Sequence, residues 1–227
     1  MSKPRAPNVP ETPSVLRETR DWLVVDKPAG WHSVEGATAP TSDGGGVLES
    51  WLARARPELA DLPESGLVHR LDRDTSGCVV VARTSRAHAD LARRLRAGAG
   101  IRKIYVARLR PGIAPEGDAT LYFASRHKRS ARVTVAHSGT ATTAGRLRWR
   151  VVERDATRGD LVELELIGAG KRHQLRAGCA HLGHPLVGDA RYGGEGLGPL
   201  QLHAWRVEID GVAVEAPLPA WVSVASP

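Results

Sequence analysis

The sequence predicts an α+β fold around a mixed, mainly antiparallel β-sheet with flanking helices. Several consecutive segments alternate apolar and polar residues with the two-residue period of strands, without a helix between them. Helical segments are interspersed, but not in strict strand-helix-strand alternation. With 227 residues, 41% of them hydrophobic, the chain can bury one substantial core or two modest ones.

We expect residues 1–19 to form a flexible tail and residues 20–227 a single domain. The tail is rich in proline, and it lacks the apolar stretch of a secretory signal. A cytoplasmic location and no membrane span are therefore expected.

The first half of the chain predicts five elements. A strand covers residues 22–25, and a helix over residues 47–54 follows from the spacing of its apolar residues. The apolar run 78–82 predicts a buried strand, and a helix capped by Thr84 or Ser85 follows it to about residue 96. Residues 103–109 alternate like a strand, with Lys103 and Tyr105 on the same side.

The second half predicts three strands and one helix. Strands are predicted over residues 146–151, 162–166 and 200–207, and a helix over 173–182. The first of these strands carries arginines at every second position. The row suits phosphate binding, and a solvated strand face explains it equally well.

Residues 69–77, HRLDRDTSG, place one carboxylate among arginines immediately before a buried strand. Gly77 permits backbone conformations that other residues resist, so the turn can be tight. We therefore predict that Asp72 lies on a rigid loop, where it can serve as a nucleophile or a base.

Other motifs fit their known chemistries poorly. Residues 74–77 resemble an aspartic-protease signature, but that chemistry needs two carboxylates and no second copy exists. A glycosidase would likewise need a paired carboxylate, and the sequence singles none out. Cys179, His181 and His184 lack a fourth ligand at a recognisable spacing, so we predict no metal site. The two cysteines are too few for a disulfide framework.

The charge balance points to a polyanionic partner. Lys and Arg number 32 against 25 Asp and Glu, which gives a formal net charge of +7. Such a surplus favours phosphate contacts with counterion release, although composition alone does not separate nucleic acid from acidic lipid.

Three blocks, in the same order and spacing, resemble the RluA family of pseudouridine synthases. They cover residues 69–77, 102–107 and 170–176. Similarity upstream at 26–30 and downstream from 184 onward extends the resemblance across nearly all of residues 21–221. It implies a fold with a central active-site cleft and RNA, either rRNA or tRNA, as the partner.

The resemblance implies that Asp72 is the nucleophile, that Tyr105 packs against the target base and that Arg176 pairs with Asp72. We expect Arg176 to hold the carboxylate through two charge-assisted hydrogen bonds. The carboxylate could attack the anomeric carbon, attack the ring or remove a sugar proton, and the sequence does not choose among these routes.

By similarity, Arg70, Lys103, Lys171 and Arg172 are candidate RNA-binding residues. The family commonly has Arg at the position of Lys171 and a small hydroxyl residue at that of Arg172. It also has Val-His-Leu where residues 177–179 follow Arg176. We expect these departures to alter RNA preference or helix packing while leaving the chemistry intact.

We therefore expect a monomeric RNA uridine isomerase that needs no cofactor, because the reaction neither oxidises nor adds atoms. Many members carry a small RNA-binding domain before the catalytic one, and the predicted tail is too short for it. Recognition is then expected to depend on the basic surface of the catalytic domain. The alternative is a catalytically silent RNA-binding or RNA-chaperone protein of the same fold.

Overall fold

The computed structural model describes residues 12–35, 45–125, 132–194 and 198–222. In these ranges the chain forms one sheet of ten strands, with three α-helices. The strands are β1 (Ser14–Glu18), β2 (Trp22–Lys27), β3 (Ser76–Ala82), β4 (Ile101–Leu109), β5 (Glu116–Ala124), β6 (Thr134–Ala136), β7 (Ala144–Glu153), β8 (Asp160–Ile167), β9 (Leu202–Ile209) and β10 (Val212–Glu215). The helices are α1 (Leu48–Ala55), α2 (Ser85–Ala97) and α3 (Gln174–His181), and short 3-10 segments span Pro57–Leu59, Pro63–Gly66 and Ala220–Val222.

The strand order is β1-β2-β3-β9-β4-β8-β7-β5-β6, with β10 paired to β9. Strands β3 and β9 run parallel at Ser76↔His203 and Gly77↔Ala204, and the other paired strands of the described ranges are antiparallel. This mixed, mainly antiparallel sheet with its helices confirms the predicted α+β class. The elements predicted over residues 22–25, 47–54, 78–82, 85–96 and 103–109 are present, as are the four predicted in the second half.

The first strand corrects the predicted tail. Residues 14–18 form β1 and pair antiparallel with β2, although the sequence predicts a flexible tail through residue 19. The prediction is wrong for this segment because β1 is held by backbone pairing to β2, which a local pattern does not reveal. Residues 1–11 lie outside the described residues.

The sheet separates two hydrophobic clusters. On one face, α1 and α3 pack against β2, β3, β4 and β7, with Leu52, Leu147 and Leu175 buried there. On the other face, α2 covers β2, β3 and β9 through Leu91 and Leu95. Thr84 caps α2 by accepting a hydrogen bond from the Ala87 N–H. The described helices include none long and apolar enough to cross a membrane.

The arginine row on β7 is balanced by carboxylates on the neighbouring strand. Arg148 lies 3.2 Å from Glu165, and Arg150 lies 2.7 Å from Glu163. From the other side, Arg102 contacts Glu165 at 2.9 Å. Between the two interpretations of this row, the structure therefore favours the solvated, charge-compensated strand face.

Candidate active site

Asp72 lies on the loop before β3, and the backbone fixes that loop closely. Gly77 has φ +107°, and a Cβ there would lie 2.3 Å from the Ala204 carbonyl oxygen on β9. Only glycine permits this approach of the two strands. The Thr75 N–H also donates to the Asp72 carbonyl at 3.1 Å, which closes the turn.

A buried lysine also holds this loop, through hydrogen bonds to backbone carbonyls. Lys27 Nζ donates to the carbonyls of Pro28, Trp31 and Arg73 at 2.9, 2.8 and 3.1 Å. Burial lowers the pKa of Lys27 to about 7, although the Asp72 carboxylate nearby acts in the opposite direction. Sequence reasoning gave this residue no role, and the available signal was its place in residues 26–30, which extend the family resemblance upstream.

Arg176 on α3 joins two carboxylates. Its Nη1 donates to Asp72 Oδ2 at 3.3 Å, while its Nε and Nη2 donate to the two oxygens of Asp189 at 2.8 and 2.9 Å. The predicted pairing with Asp72 is present, but the prediction of two hydrogen bonds to Asp72 is wrong. The two-pronged contact goes to Asp189 instead, because that buried carboxylate faces the Nε edge of the guanidinium.

These contacts keep the cation in place. Burial lowers the pKa of Arg176, but the hydrogen bonds and charge of Asp189, together with Asp72, outweigh it and raise the pKa overall. The backbone N–H groups of Arg191 and Tyr192 donate to Asp189 Oδ1 at 3.1 and 3.3 Å. Asp72, whose side chain is 24% exposed, therefore faces the cleft beside a fixed positive charge.

Tyr105 on β4 lines the same cleft as Asp72. Its side chain is buried, and burial together with the charge of Asp72 raises its pKa, so the phenol stays neutral at ordinary pH. Arg70, Lys171 and Arg176 also line this cleft. The structure thus brings together five of the seven residues singled out from the sequence.

The other two predicted residues lie elsewhere. Lys103 is buried, and its Nζ donates to the carbonyls of Gly168 and Ala169 at 2.6 and 3.3 Å. The prediction that Lys103 contacts RNA is therefore corrected to a structural role. The alternation of β4 tells which face of the strand Lys103 lies on, but not whether that face is exposed to solvent. Arg172 Nη2 donates to Ser125 Oγ and to the Arg132 carbonyl at 3.3 Å each.

Sequence reasoning also missed a histidine beside Asp72. His173 precedes α3 with a left-handed backbone, φ +54°, and its Nε2 lies 3.9 Å from Asp72 Oδ1. On its other side, Nδ1 lies 2.8 Å from Tyr192 Oη. His173 lies in the block 170–176 and Tyr192 in the similarity from residue 184 onward, so the family resemblance was the available signal for both.

The suspected metal ligands do not converge. Cys179 is buried, whereas His181 is exposed and its Nε2 lies 3.0 Å from His137 Nε2. Within the ranges that the structure describes, no three His, Cys, Asp or Glu side chains form a group that could hold a metal ion.

Comparison with known proteins gives a consistent result. The model of the RNA pseudouridylate synthase family matches residues 21–181. The ribosomal large subunit pseudouridine synthase D of Nitrosomonas europaea is 31% identical over 215 residues, 86% of this chain and 57% of that protein. The protein of the same name from Xanthomonas campestris is 39% identical over 183 residues, 80% of this chain and 52% of that protein. The chain thus spans a little over half the length of these relatives.

Solved structures give the same fold. Human RNA pseudouridylate synthase domain containing 1 superposes with a TM-score of 0.66 at 26% identity, covering 92% of this chain and 84% of that one. Human RNA pseudouridylate synthase domain containing 4 superposes with a TM-score of 0.70 at 18% identity, covering 92% of this chain and 89% of that one.

Proposed function

This chain belongs to the RNA pseudouridylate synthase family, and from that premise we propose that it converts uridine in RNA to pseudouridine with Asp72 as its nucleophile. The observation that carries the proposal is the Asp72 carboxylate at the cleft, 3.3 Å from an arginine that gives two of its other N–H groups to Asp189. Such a carboxylate has its negative charge stabilised without being hidden from substrate.

The reaction needs few parts. The bond between the anomeric carbon and uracil N1 breaks, the base turns, and a new bond joins the anomeric carbon to C5. The proton of C5 leaves to solvent, and N1 takes up a proton in its place. Asp72 can assist through attack on the sugar or the ring, or by removing a sugar proton. Tyr105 supports the turning base by offering it a neutral aromatic face. Atoms and electrons balance without a redox or group-transfer cofactor, so we propose that none is used.

The substrate proposal begins with ribosomal RNA. The relatives in Nitrosomonas and Xanthomonas are named for the large ribosomal subunit, and transfer RNA is the second class to test. Arg70 is exposed at the cleft, and Lys171 lines it, so both are placed to contact phosphates. We propose that Arg172 contributes beside them, and that the chain acts as a monomer in the cytoplasm through the domain that begins at β1.

Tritium release tests the proposal. RNA labelled at C5 of uridine, prepared from cells lacking this gene, is incubated with wild type, Asp72→Asn and Asp74→Asn. Asp74 lies two residues away with a side chain 52% exposed, so its substitution is the matched control. We expect release by wild type and Asp74→Asn, and a loss of at least about a thousandfold in Asp72→Asn.

Two results would contradict the proposal. Equal release by Asp72→Asn would exclude Asp72 as the nucleophile. RNA binding without release by wild type would favour the catalytically silent RNA-binding protein. Sequencing of the product RNA then locates the modified uridine, which separates ribosomal from transfer RNA.

A further inference from the structure

We propose that His173 binds the 2′-hydroxyl of the target ribose through its Nε2–H, and so makes the cleft selective for RNA over DNA. This inference rests on the proposed function, because it assigns a role at the same site. The side chain of His173 is 8% exposed, and its Nε2 lies 3.9 Å from Asp72 Oδ1. No hydrogen bond spans that distance, and an oxygen about 2.8 Å from each of the two atoms, off the line that joins them, would bridge the two groups.

A hydrogen-bond chain fixes the tautomer of His173. The Val133 N–H donates to Tyr192 Oη at 2.9 Å, so that oxygen acts as an acceptor on one side. Its own proton is then available to His173 Nδ1, 2.8 Å away. A neutral imidazole that accepts at Nδ1 carries its proton on Nε2. His173 therefore points an N–H donor toward Asp72.

The imidazole is neutral under ordinary conditions. The pKa of His173 is lowered to about 4, mainly by burial and in part by the charges of Arg176, Arg172 and Arg191, although Asp72 acts in the opposite direction. Tyr192 also packs edge-on against the ring, with centroids 5.6 Å apart. The ring is thus held in one orientation with one proton.

The backbone of His173 points to a role beyond packing. Its φ of +54° is uncommon for a residue other than glycine, yet the helix accepts it, with the Ala177 N–H donating to the His173 carbonyl at 2.8 Å. Strained positions of this kind persist where the surrounding structure enforces them, and they cluster at functional sites. Here the strain directs the imidazole toward the nucleophile.

The chemistry of the gap selects a hydroxyl. An atom between Nε2–H and the Asp72 carboxylate must accept from the first and donate to the second, which a hydroxyl does. In the two routes at the sugar, Asp72 acts at the anomeric carbon or at its neighbour, and the substituent on that neighbouring carbon lies alongside the carboxylate. In RNA this substituent is the 2′-hydroxyl, which DNA lacks.

A double-substitution cycle tests the contact. The probe is an RNA oligonucleotide that carries the target uridine before conversion. It is made with either ribose or 2′-deoxyribose at that nucleotide. Wild type and His173→Asn are compared on both by kcat/KM from tritium release. Asparagine is chosen because it tolerates the left-handed backbone, whereas its side chain is too short to reach the gap.

We expect 2′-deoxyribose to lower kcat/KM of wild type about tenfold, and His173→Asn to cause a similar loss on the ribose substrate. The two losses should not multiply, because each removes the same hydrogen bond. Losses that multiply would overturn the inference. Absence of turnover by wild type would instead overturn the proposed function, and with it the role given to His173.

A second measurement reads the tautomer directly. Nitrogen-15 NMR of the free protein should show neutral His173 with its proton on Nε2 in wild type. Tyr192→Phe removes the donor to Nδ1, so a population with the proton on Nδ1 should appear. A wild-type protein with the proton on Nδ1 would overturn the inference whatever the kinetics show.

Discussion

Asp189 and Asp72 share the guanidinium of Arg176 unequally. Asp189 is fully buried and takes two of its N–H groups, whereas Asp72 takes one at 3.3 Å and stays 24% exposed. A buried carboxylate that loses its charge leaves the buried guanidinium poorly compensated. We therefore expect the two aspartates to have different roles, Asp189 in the stability of the fold and Asp72, under the proposed function, in the reaction.

Substitution of each aspartate should separate these effects. We expect Asp189→Asn to lower the free energy of unfolding by about 3 kcal/mol, because Arg176 then lacks its main anion. Asp72→Asn should change it by less than about 1 kcal/mol, because its contact is longer and partly solvated. Urea denaturation at pH 7 measures both, and an equally large loss in the two variants would contradict the unequal sharing.

For individual residues, the sequence predicts the reactive side chains better than the side chains that they contact. Asp72, Tyr105 and Arg176 were found because the residues themselves carry the resemblance. The role of Asp189 was missed because its contact depends on geometry across α3. Lys103 was misassigned because a two-residue period gives two sides without saying which side is buried.

The parallel junction of β3 and β9 is the element that positions the nucleophile loop. Gly77 lies at the junction, where a Cβ would meet backbone atoms of Ala204 at 2.3 to 2.9 Å. Gly30 also has a positive φ, +83°, but a Cβ there meets nothing within 4 Å.

Alanine at each of the two glycines should separate the cost of an unfavourable backbone conformation from the cost of a steric clash between strands. Gly30→Ala is expected to cost about 1 kcal/mol of unfolding free energy, from the backbone conformation alone. Gly77→Ala should cost about 3 kcal/mol or more and also lower kcat, because the strands must separate. Thermal unfolding and tritium release measure the two effects. Similar small losses in both variants would show that the junction is loose.

Local patterns predict the strands that have a clear period and miss those that depend on a neighbour. Strand β5 was not predicted, since it begins with Glu116, Gly117 and Asp118, yet residues 116–122 pair with β7. Strands β6 and β10 are three and four residues long, so their sequences carry little signal. Pairing partners, rather than propensity, stabilise these elements.

Across the whole molecule, charge is distributed unevenly between the faces of the sheet. The face that bears Arg148 and Arg150 pairs its cations with carboxylates, whereas Arg70 and Lys171 lie at the cleft on the opposite face. Among these described cations, Arg70 and Lys171 are therefore better placed than Arg148 and Arg150 to contact a polyanion.

RNA binding should depend more on the cations at the cleft than on the paired cations of β7. Lys171→Ala is expected to weaken binding and to reduce the slope of log Kd against log salt by about one. Arg150→Ala, at a side chain 66% exposed and paired with Glu163, should leave the slope unchanged. Filter binding across a salt series measures both. An equal change in the two variants would show that RNA also contacts the charged strand face.

Buried histidines should make the protein sensitive to acid. Burial lowers the pKa of His203 to about 4 and that of His69 to about 3, against an unfolded value of 6.5. From about pH 6.5 down to 4 the unfolded chain binds protons that the folded chain does not, so stability falls as pH falls.

His203→Asn should isolate one of these contributions. Between pH 6 and 4.5 we expect the unfolding free energy of this variant to fall less steeply with falling pH than that of wild type. The difference in slope should be about 1.4 kcal/mol per pH unit. The exposed His181→Asn serves as the control. Denaturation curves across pH measure the slope, and an unchanged slope in His203→Asn would contradict the assignment.

The fold class follows from the sequence, but the order of strands does not. Strands β3 and β9 are separated by more than a hundred residues and pair through two residues on each. No local pattern encodes such a pairing, since it depends on close approach at Gly77 and on the packing of the whole sheet.

The unequal sharing of Arg176 has an evolutionary consequence. Because Asp189 takes two of the Arg176 N–H groups by itself, a single base change at the codon for Asp72 is expected to leave a folded protein with its cleft intact and, under the proposed function, without catalysis. Such a descendant would be exposed to selection as an RNA-binding protein from its first generation. Silent members of this family are therefore best recognised by a missing nucleophile beside a retained Asp189–Arg176 pair.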